Sequence, residues 1–168
     1  AVRPFKNHLN QAAAALQYAQ NKGLKLRFHI NATRVENKGD SILKNLRSMF
    51  RYLPDHELVE HDWMPHVDFM KVLREQIDLG MQVSFTETYN IVAADHIAAN
   101  IPIIASSEVK MVFPMFYADP TSVPSMVNAL GRASFCGKAG CMANLASLRL
   151  QNQHSIDHWK KSLEDLTK

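Results

Sequence analysis

Cysteine is scarce: the chain of 168 residues holds two, Cys136 and Cys141. So few thiols exclude a disulfide-stapled framework, and without a second pair they exclude a zinc ribbon. Both are expected to be free, in a reducing compartment. No apolar run reaches the ~18 residues that a membrane-spanning helix needs. The opening Ala1-Val2-Arg3-Pro4-Phe5-Lys6-Asn7 lacks the apolar stretch of a signal peptide. Charge of one sign is missing too. The net charge is +3, and no Lys/Arg run is interleaved with aromatics, which excludes a dedicated nucleic-acid binder. Internal repeats, low-complexity tracts and linkers are likewise absent.

What remains is an ordinary globular composition, 46% hydrophobic and 21% charged. A chain of this length buries about 70% of its unfolded surface on folding, enough for a core without staples. One domain spanning residues 1–168 is expected. The chain opens on Ala1 rather than Met and is expected to enter structure within a few residues, which suggests an excised domain or a trimmed product.

Apolar periodicity alternates between helical and extended spacing. Leu9, Ala12, Ala13, Leu16 and Ala19 form one helical stripe, ended by Gly23. Leu24 to Ile30 alternates in period two and reads as a strand. Ile42, Leu46, Met49, Phe50 and Leu53 make a second stripe before Pro54, and a short strand follows at Glu57–Glu60. Val67, Met70, Leu73 and Ile77 give a third helix, then Gly80–Ser84 a strand. A fourth helix over Tyr89–Ala99 feeds the strand Ile101–Ile104. Further stripes run through Val123, Met126, Val127 and Leu130, and through Ile156, Trp159, Leu163 and Leu166. Strands separated by helices imply crossover connections and a parallel sheet. The fold class is therefore α/β, with extra C-terminal helices. Phe28, Ile30, Val83, Ile103 and Ile104 are expected inside, and Trp63 and Trp159 in the core.

In a parallel sheet, ligands bind beyond the carboxyl ends of the strands, where helix N-termini present free N–H groups. The richest such junction is Ser84-Phe85-Thr86-Glu87-Thr88-Tyr89-Asn90-Ile91-Val92-Ala93-Ala94-Asp95. Glu87 falls in the loop, the N–H groups of Tyr89 to Val92 in the first helical turn, and Asp95 further along. A carboxylate for sugar hydroxyls, a helix end for an anion and a second carboxylate for ribose would suit a nucleotide-sugar. The plainer reading is that Glu87 caps the helix and Asp95 lies on a solvated face.

The run E-T-Y-N-I-V-A-A-D-H-I-A-A-N-I-P-I-I-A from Glu87 to Ala105 resembles, without a gap, the donor-binding signature of retaining GT-B glycosyltransferases, E-G-F-G-L-x-x-x-E-A-x-A-x-G-x-P-V-I-A. Pro4-Phe5-Lys6-Asn7 is similar to the same family's P-x-K-G or P-x-K-N loop. The order of elements, Ala118-Asp119-Pro120 before a helix, and Trp159 in the last helix also look like that family's C-terminal domain, over nearly the whole chain. The resemblance implies a Rossmann-like parallel sheet with helices on both faces, the C-terminal half of a GT-B fold. It implies Lys6 and Arg3 at the donor diphosphate, together with backbone N–H groups at Ile91 and Val92. It also implies Glu87, Tyr89 and Asn90 at the donor sugar and Asp95 at the ribose. Asp62, Trp63 and Met64 would border the base.

The donor would be a UDP-, GDP- or ADP-linked hexose, moved with retention and without a metal or other cofactor. No catalytic residue is assigned in this chain. The acceptor is unknown, and the N-terminal acceptor domain lies outside it. A cytoplasmic enzyme is implied, with attachment at the inner membrane face open for the full-length protein.

The sequence also departs from the signature. Thr88 and Asn90 stand where glycines are usual, and Asp95 replaces a Glu one methylene longer. These departures keep a rival reading in play, a non-catalytic α/β module that retained the fold for protein interaction. Other polar groups carry less. His61, Asp62 and His66 match no strong metal-ligand spacing, and His154 with His158 lacks a third ligand. His96 is expected to pack rather than act as a base, and Lys22, Lys25 and Arg27 to form a solvated face.

Overall fold

The first helix, α1 (His8–Lys22), ends where the periodicity predicts: Gly23 takes the left-handed conformation, φ 64°, that only glycine adopts freely. In this computed structural model, which describes residues 2–36 and 39–166, the elements then alternate. They are β1 (Leu26–Asn31), α2 (Asp40–Phe50), β2 (His56–His61), α3 (His66–Gln76), β3 (Gly80–Gln82), α4 (Ile91–Ala98), β4 (Ile103–Ala105) and α5 (Val123–Leu166).

All strand pairing among these elements is parallel. It forms two two-stranded sheets, β1 with β2 and β3 with β4, where one continuous sheet was expected. Isolated parallel bridges extend the pattern at Val2–Val35 and Ala105–Tyr117. Helices flank the strands on both faces, giving the Rossmann-like α/β architecture.

Two apolar clusters hold these halves. Val2, Ala12, Leu16, Ile30, Leu43, Leu46 and Phe50 pack between α1, β1 and α2. Val83, Ala93, Ile97, Ile103, Ile104, Met126 and Leu130 pack between the second sheet, α4 and α5. Helix α1 serves both, since Ala14 belongs to the second cluster while Ala12 and Leu16 belong to the first. Strand β4 is buried on both faces, as a central parallel strand should be. Ile30, Val83, Ile103 and Ile104 are buried as expected, whereas Phe28 is half-buried, its ring stacked 6.0 Å from Phe50.

The end of α4 is fixed by local chemistry. Asn100 adopts φ 62°, and the N–H groups of Asn100 and Ile101 bond the carbonyls of Ile97 and His96. This paired termination uses Asn, the non-glycine residue that best tolerates the left-handed region.

Three expectations need correction. Trp159 is 68% and Trp63 73% exposed, so neither is a core residue. The C-terminal stripes belong to one 44-residue element interrupted at Gly137 (φ 46°, ψ −124°), and the part beyond it leaves Ile156, Trp159, Leu163 and Leu166 in solvent. A helix carrying a stripe with nothing against it cannot bury that stripe, whatever its period. Among the described residues, no helix is long and apolar enough to cross a membrane.

His96 explains an otherwise unremarked glycine. Its ring is buried, donates from Nδ1 to the Val92 carbonyl at 2.7 Å, and packs against Gly80. A Cβ at Gly80 would sit 2.4 Å from His96 Cδ2. Gly80→Ala should therefore destabilise the fold by about 1–3 kcal/mol, the usual range for overpacking. Urea unfolding of Gly80→Ala, His96→Ala and the double variant should show that the two losses are not additive. Strict additivity would mean that the ring is not what excludes the Cβ.

Candidate functional site

The residues singled out at the chain's start and after β3 meet at the carboxyl ends of the strands. Pro4–Lys6 forms one 3-10 turn, closed by Asn7 at φ 58°. The Asn7 side chain donates from Nδ2 to the carbonyls of Val83 (3.1 Å) and Pro120 (2.8 Å). Gln11, one turn into α1, donates to the Lys6 carbonyl at 2.6 Å and accepts from the Val83 N–H at 3.1 Å. The Phe85 N–H bonds the Phe5 carbonyl at 2.9 Å. These bonds seat the Lys6 turn against the end of β3.

Lys6 then forms an ion pair with Glu87, with side chains 19% and 6% exposed. Glu87 Oε2 also accepts from Asn90 Nδ2 at 2.9 Å, and Oε1 from the Thr88 N–H at 3.3 Å. Asn90, not Glu87, is the helix cap: its Oδ1 accepts from the Ala93 N–H at 2.9 Å, while Nδ2 also reaches Gln82 Oε1 at 2.9 Å. Helix α4 thus starts at Ile91, later than the sequence suggested. The N–H groups of Ile91 and Val92 are left without an intrahelical partner in its first turn. Asn90 sits at φ −93°, so its replacement of a glycine strains nothing.

The remaining candidates surround this centre unevenly. Tyr89, Ile91 and Val92 present exposed side chains, as do Phe5 and Phe85. Arg3 pairs with Glu36 at 3.6 Å, and Glu36 also holds Arg34. Asp95 is mostly buried on α4 and bonds His66 Nε2, at the start of α3, at 3.0 Å through Oδ1. The loop of Asp62, Trp63 and Met64 is tied to the end of β1: the Trp63 N–H bonds Thr33 Oγ1 at 2.9 Å, and Asn31 Nδ2 bonds the Asp62 carbonyl at 3.3 Å.

His61 is drawn to His29, with Nδ1···Nε2 at 2.8 Å, and His66 to Asp95. Among the described residues, no group of three or more His, Cys, Asp or Glu is arranged to hold a metal. Cys136 and Cys141 are free, Cys141 donating to the Asn100 carbonyl at 3.3 Å.

No protein-family profile and no curated protein matches this chain. Solved structures do. A UDP-forming α,α-trehalose-phosphate synthase from Burkholderia xenovorans superposes with a TM-score of 0.74 at 17% identity, over 99% of this chain and 43% of that one. A trehalose-6-phosphate synthase from E. coli, with UDP-2-fluoro glucose bound, gives 0.68 at 18% identity over 98% and 41%. Sucrose-phosphate synthase from Thermosynechococcus elongatus gives 0.61 at 17%, over 94% and 43%. The fold is that of one GT-B half. The chain spans less than half the length of each synthase chain it matches. At these identities the likeness is one of architecture.

Sequence reasoning missed several residues that the fold brings together: Gln11, Gln82, His66 in its bond to Asp95, and the His29–His61 pair. Gln11 carried a usable signal, a polar side chain beside the apolar stripe of α1. The histidine pair carried none, because it depends on strand register. β1 and β2 pair with His29 opposite Val59 and Asn31 opposite His61, which sets the two rings diagonally on one face.

Burial holds several imidazoles neutral. His29 is lowered to about 4, first by desolvation and then by His61 and Arg27, against a smaller opposing effect of Glu57. His8 is also lowered to about 4, by desolvation above all and by the Lys6 charge. His96 is lowered by desolvation, against its bond to Val92 and the Asp95 charge. Each folded-state value lies below the ordinary 6.5, so the unfolded chain binds more protons between about pH 6.5 and pH 4. Stability should be complete above that window and fall as the pH drops through it. Urea midpoints at about pH 7 and about pH 4.5 should show this loss, and His8→Gln with His29→Gln should flatten it. An unchanged pH slope in the double variant would assign the acid sensitivity to other groups.

Proposed function

We propose that this chain is the nucleotide-sugar-binding half of a retaining glycosyltransferase, moving a hexose from a UDP-, GDP- or ADP-linked donor. The observation that carries the reading is the Lys6–Glu87 pair beside the open first turn of α4. A cation and a helix N-terminus make a diphosphate site, and the adjacent carboxylate suits sugar hydroxyls.

Without a donor, Lys6 and Glu87 neutralise each other. A bound donor exchanges these partners: its diphosphate takes Lys6 and the N–H groups of Ile91 and Val92, and its sugar hydroxyls donate to Glu87. Asn90, with its amide committed to Gln82, Glu87 and Ala93, would meet the sugar through backbone and hold Glu87 in place. Arg3 would reach the diphosphate only by leaving Glu36. Asp95 would accept from ribose, and the Asp62–Trp63–Met64 loop would border the base. As the glycosidic bond breaks, charge on the departing diphosphate is stabilised by Lys6 and the helix end, which asks for no metal.

Acceptor placement and exclusion of water need a second body across the cleft, so the 168-residue chain alone should bind donor but transfer no sugar.

Calorimetry with nucleotide-sugars and free nucleoside diphosphates tests the assignment. Glu87→Gln keeps the shape but removes the charge, so donor affinity should fall about 10- to 150-fold while the free diphosphate binds almost as before. Lys6→Ala should weaken both ligands. Equal weakening of both by Glu87→Gln, with folding intact, would remove the sugar-binding role. No binding of any nucleotide would favour the rival reading, an interaction module.

A further inference from the structure

Asp95 on α4 and His66 on α3 are joined across two helices. His66 is the first residue of α3, directly after the Asp62–Trp63–Met64 loop and Pro65, and its side chain is 65% exposed. Asp95 lies along α4 with its side chain 14% exposed. Nε2 stands 3.0 Å from Oδ1, and since a carboxylate only accepts, Nε2 carries the proton and donates. A bond with so exposed a partner contributes little to stability. Its physical effect falls on the carboxylate, which loses freedom about its side-chain torsions and is left with Oδ2 as the oxygen not engaged by His66.

We propose that His66 is a positioning residue for ribose recognition, its Nε2–H···Oδ1 bond holding Asp95 so that the free oxygen accepts the vicinal hydroxyls of a ribonucleoside diphosphate. The proposal rests on the reading of the chain as a nucleotide-sugar-binding domain. It adds a residue from a different helix, α3, to the site. A short aspartate arm has less reach than a glutamate, so fixing its direction matters more. The location fits the role: the loop assigned to the base runs directly into His66, and the bond links that loop to the carboxylate assigned to the sugar. Base and ribose of one nucleoside would then be read by groups fixed to one another.

The test is calorimetry on the 168-residue chain with UDP, GDP and ADP, followed by the matching dideoxyribose diphosphate of whichever binds best. The unaltered chain should prefer the ribose form. His66→Ala should weaken the ribose form about 2- to 12-fold, the worth of one pre-ordered side chain, and leave the dideoxyribose form unchanged. His66→Gln, whose amide N–H reaches a similar position, should restore most of the loss. Equal weakening of both ligands, no weakening of either, or a selective loss that Gln does not rescue would each overturn the proposal. An unaltered chain that binds ribose and dideoxyribose forms alike would overturn it by removing ribose recognition at Asp95. An unaltered chain that binds none of the three diphosphates would overturn the functional reading as a whole, and this proposal with it.

Discussion

Two side-chain amides hold the Lys6 turn to the end of β3. The N–H and C=O of Val83 are buried just past that strand, where unpaired backbone groups would be destabilising by about 1–3 kcal/mol each. Gln11 accepts from the one and Asn7 donates to the other, supplying bonds of the kind a neighbouring strand would make. Because both residues belong to the entry into α1, the same bonds seat the Pro4–Lys6 turn over the strand end. Everything further out in the site depends on that seating. Lys6 meets Glu87 because its own carbonyl is gripped by Gln11, and Phe85 is held by Phe5 one residue away.

Glu87 is the second fixed point. A carboxylate that is 6% exposed must have its charge and lone pairs satisfied, and here a cation, an amide and a backbone N–H do so. Asn90 divides its amide among Gln82, Glu87 and the Ala93 N–H, so one residue caps α4 and orients the carboxylate. That dual use accounts for the chemistry at a position where the GT-B signature has glycine. A glycine leaves room for a ligand, whereas Asn90 adds a scaffold under the carboxylate and keeps an ordinary backbone conformation.

The elements were legible because periodicity reports burial. β4 and the buried face of α4 follow from runs of apolar residues that can only be interior, and Gly23 marked a helix end by its backbone freedom. The start of α4 was set too early, at Tyr89, because a cap is decided by which side chain bonds the Ala93 N–H, and Glu87, Thr88 and Asn90 all have suitable oxygens. Trp159 was misplaced for a related reason: spacing shows that a stripe exists, not that anything covers it. Strand extent depended on partners as well. The single sheet expected from alternation became two because pairing requires neighbours, which local sequence does not encode. Of the candidate residues, Lys6 lies in the turn before α1, Glu87 in the loop before α4 and Asp95 within α4, as the spacing implied, while His66 and Gln82 came from tertiary neighbours.

The Lys6–Glu87 contact joins segments 81 positions apart, with α1, both strands of the first sheet and β3 between them. No local fragment can contain it, so the Lys6–Glu87 site forms only once these distant segments have come together. A small molecule that requires both segments therefore has no affinity for partly folded forms, and its free concentration acts directly on the folding equilibrium. At a hundredfold excess over its dissociation constant, such a molecule adds about 2.7 kcal/mol to the folded state. For a domain whose net stability is about 5–15 kcal/mol, that is a sizeable fraction of the whole.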